Sequence, residues 1–327
     1  MKQQTVFLSL LLSGFLLVGC SKSKTIVGPD NSGKWTQVTG LPTFRHIISN
    51  GAEFLAAGDG GLFRSTDDGM TWTRPDSILV DGLYDVTAIN GGILVSDNFN
   101  GGLYFSSDNG ATWAARDSGL GTNYFYLYQT VFGFTVSGST IFAASTASQV
   151  FKSTDNGVSW TAADNGIYSA VTTFTVASNG SHIFAGTEGA YVSTNAGESW
   201  TAANSGLAWG IYSQSEPPLV VSFACEGTKV FAGTLGAKIF VSTNYGTSWS
   251  DVTDTLPSYP ESWIYLAAND SAIFAGYDAG VFTSTNGGSS WNNITDNLPS
   301  PVVVSLALVG KDLFAETLDG TVWRLSL

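Results

Sequence analysis

Short apolar runs rich in Val, Ile, Phe and Ala recur along the chain, separated by clusters of Gly, Asp, Asn and Ser. Runs bounded by turn residues in this way predict β-strands. The runs come in an order. A leading run such as VTTFTVAS at 171–178 or VVVSLALV is followed by one of the type HIFAGT, KVFAGT or AIFAGY, and then by GLFRS, GLYFS, QVFKS or KIFVS. After the third run comes a polar eight-residue stretch that ends in Trp. STDDGMTW starts at Ser65, SSDNGATW at Ser106, STDNGVSW at Ser153, STNAGESW at Ser193, STNYGTSW at Ser242 and STNGGSSW at Ser284. A period of roughly 40 to 50 residues means an array of small supersecondary units.

Each position of the stretch has a mechanical reason. A Gly such as Gly69 takes the positive backbone angle of a tight reversal. Asp67, and Asp108 and Asp155 after it, accept hydrogen bonds from amides of their own turn. Ser and Thr supply further local hydrogen bonds, and the Trp opens a fourth strand and wedges a large ring between sheets. In the last three copies the acid is Asn195, Asn244 or Asn286. An amide keeps the acceptor oxygen and loses the charge, which favours a structural turn over a calcium site.

These stretches resemble the Asp-box, or bacterial neuraminidase repeat, shared by sialidases, xyloglucanases, sortilin-type receptors and a photosystem II assembly factor. The resemblance implies a propeller and leaves the activity open. The expected fold is all-β, a seven-bladed β-propeller of four-stranded antiparallel blades. Six repeats supply six blades. The C-terminus adds three more strands, VVVSLALV, DLFAET and GTVWRLSL, without a fourth. GKWTQVTG at 33–40 resembles a strand that follows a repeat turn, with Trp35 in the place of Trp72. It is expected to complete the last blade and close the ring, leaving no open edge. A six-bladed ring with loose ends is the alternative.

Lys2 precedes an apolar run from Val6 to Val18, too short to span a bilayer, which needs about 20 residues. The run ends in Leu17, Val18, Gly19 and Cys20, which resembles the lipobox of bacterial lipoproteins. That resemblance implies a signal peptide at 1–19, acylation of Cys20, a polar tether at 20–32 and the propeller at 33–327. Ser21 in place of Asp implies an outer-membrane destination in the cell envelope. The formal charge of -13 and pI near 4.3 argue against nucleic acid, whose phosphates need clustered Lys and Arg.

In proteins of the resembling type, ligands meet the face opposite the repeat turns. By resemblance, the turns on that face carry Asp59, Asp97, Glu188, Asp278 and Asp319. The links between blades carry Tyr124, Phe125, Tyr126 and Tyr128, then Trp209 and Tyr212, then Tyr259 and Trp263. Rings flanked by carboxylates suit a glycan or a protein surface; alternatively the rings pack the blades and the acids keep turns soluble. The ligand-binding candidates are Tyr124, Tyr126, Trp209, Tyr212, Trp263, Asp59, Asp97 and Asp278.

Phe44, Arg45, His46 and Ile47 echo the sialidase motif that supplies a first arginine. However, no Arg stands between Arg116 and Arg324, so a sialidase-type arginine triad cannot be assembled from the central blades. A xyloglucanase-like hydrolase needs two suitably spaced carboxylates, and those enzymes cleave between two propellers. His46 and His182 offer no metal cluster or nucleophilic triad. The expectation is therefore a non-enzymatic, monomeric, lipid-anchored binding or assembly module without metal or cofactor, recognising a glycan or an envelope protein. The alternative is a xyloglucanase-like glycoside hydrolase.

Overall fold

The computed structural model describes residues 34–75, 82–97, 101–121, 130–146, 150–168, 172–207 and 217–327. Seven antiparallel sheets follow one another in chain order, and the described residues contain no helix. In blade 4, Thr175–Asn179, His182–Thr187, Gly189–Ser193 and Thr201–Ala202 pair in sequence from the inside of the ring outward. The other blades repeat this order, and the protein is a seven-bladed propeller.

Small residues in the second strand let neighbouring blades approach closely. A Cβ added at Gly186 of blade 4 would stand 2.6 Å from the Val220 carbonyl oxygen of blade 5. The adjacent Phe184 is fully buried and packs with Phe223 and Phe240 of blade 5. The core therefore lies between blades, so each blade is stabilised by its neighbours.

The turn between third and fourth strands behaves as its residues dictate. Ser242 Oγ accepts the Gly246 amide at 2.8 Å and donates to Asn244 Oδ1 at 2.9 Å, and Asn244 Oδ1 accepts the Ser248 amide at 2.9 Å. Asp67 forms the same pattern and adds the Thr71 hydroxyl, which donates to Oδ2 at 2.6 Å. Gly69 is required twice: its φ is +81°, and a Cβ would stand 2.3 Å from the Phe314 ring.

The tryptophans that follow divide into two kinds. The indole nitrogens of Trp72 and Trp113 donate to their own turns, at Gly69 and Gly110. Those of Trp160, Trp200, Trp249 and Trp291 donate to carbonyls of the preceding blade, at Arg116, Ala163, Ala203 and Val252. Trp35 joins the second kind, donating to Ile294 of blade 6 at 2.7 Å.

Thr36–Gln37 pairs with Val322–Ser326 in the register Thr36 to Arg324 and Gln37 to Trp323, which makes it the outer strand of blade 7. The next residues reach blade 1, where the Trp72 amide donates to the Thr39 carbonyl at 2.9 Å. One strand thus ties blades 6, 7 and 1. Blade 1 departs from the four-stranded pattern. Its fourth strand is a single bridge from Arg64 to Thr73, because Pro75 lies two residues on and has no amide proton to extend the ladder.

Candidate functional site

The face opposite the repeat turns is shaped by the residues that begin each innermost strand. In blades 2 and 3 the first and second strands slip register between Leu83 and Asp85 and between Val131 and Gly133. A bulge of this kind re-aims a side chain, here those of Tyr84 and Phe132. Their rings meet edge to face at 5.0 Å. Phe174 of blade 4 packs with them, and Leu219 and Trp263 cover the group from the approaches to blades 5 and 6. Residues from five blades can share one cluster only near the ring axis, so these side chains form an apolar floor at the mouth of the channel.

Beside that floor, at the junction of blades 7 and 1, stand charged groups. Arg45 is buried, its guanidinium carbon lies 5.1 Å from the Tyr84 ring centre, and its Nη2 meets Asp59 Oδ1 at 2.5 Å. Glu316, at the end of blade 7's second strand, accepts the Phe44 amide on Oε2 at 2.9 Å, which links blade 7 to blade 1. Burial pushes the Glu316 carboxyl up to about 7, helped by the Asp59 carboxylate and opposed by the Phe44 hydrogen bond and Arg45. Ser305 is its cross-strand partner, so both side chains leave the same side of the sheet. Tyr265 of blade 6 is buried within electrostatic reach of Glu316, Arg45 and Asp278, and burial raises its phenol.

Deeper in the wall, Asp85 joins three blades. It pairs with His46 Nδ1 of blade 1 and accepts the Val86 amide at 2.7 Å and, on its other oxygen, the Phe134 amide of blade 3 at 2.7 Å.

Of the residues that the sequence suggests, Asp59 stands at the mouth with its side chain 58% exposed. Asp278 is half-buried, and its amide donates to Ser262 Oγ at 3.2 Å. Trp263 is half-buried with its ring edge-on to Phe174 at 5.8 Å. Asp97 is fully buried, and its amide donates to the Gly102 carbonyl at 3.1 Å. Tyr124, Tyr126, Trp209 and Tyr212 lie outside the described residues, as does Cys20. Among the described residues no group of three or more His, Cys, Asp or Glu side chains could hold a metal ion. Arg45 is ion-paired, and Arg64 and Arg324 belong to distant pairs with Glu53 and Asp312.

Sequence reasoning passed over Glu316, Asp85 and Ser305. A signal was present: DLFAET and LYDVTAI each place a carboxylate inside an otherwise apolar strand.

No family model matches the chain, and no curated protein matches it. Solved structures do share its fold. YCF48 bound to D1 peptide superposes with a TM-score of 0.63 at 13% identity, covering 91% of this chain and 96% of that one. The GH74 xyloglucanase from Xanthomonas campestris gives 0.64 at 15% identity, covering 89% of this chain but 53% of that one. BamB from Moraxella catarrhalis gives 0.54 at 12%, covering 91% and 99%. The likeness establishes the propeller, and the chain spans about half the length of the xyloglucanase it resembles.

Proposed function

We propose that this protein is a non-enzymatic binding or assembly module that holds a partner, protein or glycan, on the face opposite the repeat turns. The observation that carries the reading is the mouth itself: an apolar floor drawn from five blades and flanked at the junction of blades 7 and 1 by Arg45, Asp59 and Glu316. Exposed Tyr168, Tyr259 and Leu318 lie on the same face, in two interblade links and one turn between second and third strands. The single-ring neighbours, matched over nearly their whole length, support the reading. So does the YCF48 bound to D1 peptide, since a ring of this size there holds a peptide. The N-terminal Lys2, apolar run and Cys20 support attachment to the cell envelope by a lipid at Cys20, with the outer membrane as destination. The scarcity of Lys and Arg supports a partner other than nucleic acid.

The test is photo-crosslinking in cells of the full-length chain, with the reactive group at Leu318 or Tyr259 on one face and at Val158 on the other. A partner captured from the first pair and not from Val158 supports the reading. Capture from Val158 alone overturns it. A fatty-acid label taken up by the wild type and lost in Cys20→Ala supports the anchor; uptake by both removes it.

One observation favours a hydrolase of the xyloglucanase type: burial raises the Glu316 carboxyl to about 7, so part of it stays protonated near neutral pH, as a general acid requires. Against it, Asp59 is occupied by Arg45, and Phe132 and Tyr84 fill the floor. Release of reducing sugar from xyloglucan, abolished by Glu316→Gln, would establish that reading in place of the binding module.

A further inference from the structure

The junction of blades 7 and 1 carries polar atoms that the fold does not use. Ser305 is 1% exposed and its Oγ makes no hydrogen bond. Glu316 is 8% exposed, and only Oε2 has a hydrogen-bond partner, the Phe44 amide. The two residues face each other across neighbouring strands, Ser305 paired with Glu316. A buried hydroxyl without a partner is costly, and beside it Glu316 Oε1 has no donor and is not sealed from the mouth, so a group entering there can serve both.

The surroundings define what that is. Arg45 is committed to Asp59 and to the Tyr84 ring, so the positive charge present is already balanced. The groups facing Glu316 are Arg45 and Asp59 from blade 1 and Tyr265 from blade 6, with Asp278 acting on Tyr265 beyond it. The sum across them is negative once Glu316 ionises. Among the described residues, Lys152, Lys229 and Lys238 are paired elsewhere, with Glu198, Glu226 and Asp251.

We infer that the pocket formed by Glu316, Ser305 and the Arg45–Asp59 pair receives a cationic side chain, the ammonium of a lysine, carried by an exposed segment of the protein partner. An ammonium offers three donors and one positive charge. It satisfies Glu316 and Ser305 together, and the aliphatic stem of the lysine lies along the apolar floor. This inference rests on the binding-module reading and narrows it to a basic protein segment. Binding a cation requires the ionised carboxylate. Since burial holds Glu316 near 7, a proton competes with the ligand, and affinity falls as pH drops below neutral.

The experiment uses the full-length chain with N-acetyl-lysine methylamide as probe and the norleucine analogue as its neutral match. The Glu316 carboxyl is followed by carbon NMR through a pH titration. The lysine probe is expected to move the Glu316 titration to lower pH and the norleucine probe to leave it in place. Binding of the lysine probe weakens about tenfold or more in Glu316→Gln, as expected when a charge-assisted hydrogen bond is lost. Ser305→Ala, which removes one buried hydroxyl, weakens binding by less and tests the same pocket if the first variant folds poorly. Equal behaviour of both probes, or exchange of the pocket with water only, overturns the inference. The crosslinking experiment separates the two proposals. A captured partner with a neutral docking segment sinks the lysine pocket and keeps the module, whereas capture from Val158 alone overturns the module and with it the partner's lysine, even if the pocket responds to the probe. Saturable binding of a glycan that leaves the Glu316 titration unmoved also sinks the pocket.

Discussion

On one face of the ring, Asp67, Asp108 and Asp155 accept the hydroxyl and amide of the residue four positions on, and those hydrogen bonds lower their carboxyls to about 2. On the other face Glu316 is buried at a blade junction with one amide for company, and its carboxyl rises to about 7. The same chemical group thus serves two ends. Where the carboxylate is supplied with donors it holds a turn, and Asn195, Asn244 and Asn286 do the same work without charge. Where donors are withheld, the group is poised to take one from outside.

The contrast breaks most heavily if the repeat face is structural. Trp249 is buried, and its indole donates to the Ala203 carbonyl of the preceding blade at 2.7 Å. Trp249→Ala is expected to cost about 3–5 kcal/mol in chemical denaturation. A loss under about 1 kcal/mol would mean that the blades do not depend on these rings. Ser242→Ala removes the buried hydroxyl at the centre of one turn and leaves the Gly246 amide without its acceptor, for an expected loss of about 1–3 kcal/mol.

The opposite face responds through pH. Glu316 has its folded value raised from 4.5 to about 7, so its contribution to stability is present below 4.5 and is lost as pH rises to about 7. Glu316→Gln is therefore expected to stabilise the protein above neutral pH, on the order of 1–3 kcal/mol. The gain should vanish near pH 4.5. Loss of stability at high pH would show that the charged form is already satisfied within the protein. The smallest effect belongs to Asp67→Asn, Asp108→Asn and Asp155→Asn together. Their values are lowered from 3.8 to about 2, so the stability they add is present above 3.8 and is lost as pH falls to about 2. The triple variant should match the wild type at neutral pH and lose part of its acid sensitivity below pH 4 in thermal melts.

The repeat face was legible because its information is local. Ser65, Asp67, Gly69 and Thr71 act on one another within seven residues, and Trp35 could be matched to Trp72 by its neighbours. The closing strand and the seventh blade were read in the same way. The mouth was not legible in that sense. Phe44 and Glu316 stand 272 positions apart and meet only because the ring closes, and the bulges that aim Tyr84 and Phe132 inward are properties of strand pairing. Asp59 could be placed by its turn. Its partner Arg45 was noted only for a motif it echoes, and the ion pair needed the fold.

The pairing of Thr36–Gln37 with Val322–Ser326 also sets an order of events. Thr36–Gln37 cannot find its place until Val322–Ser326 has been made, after the strands of the other six blades. Six blades can stack on one another as they emerge. Until the final strand arrives, Trp35 has no finished seventh blade to complete and the outer edge of that blade is missing. A chain stopped short of Val322 would leave an open ring with a bare sheet edge. The ring therefore closes only when Val322–Ser326 meets Thr36–Gln37, and the nascent ring is most vulnerable to wrong pairing just before that.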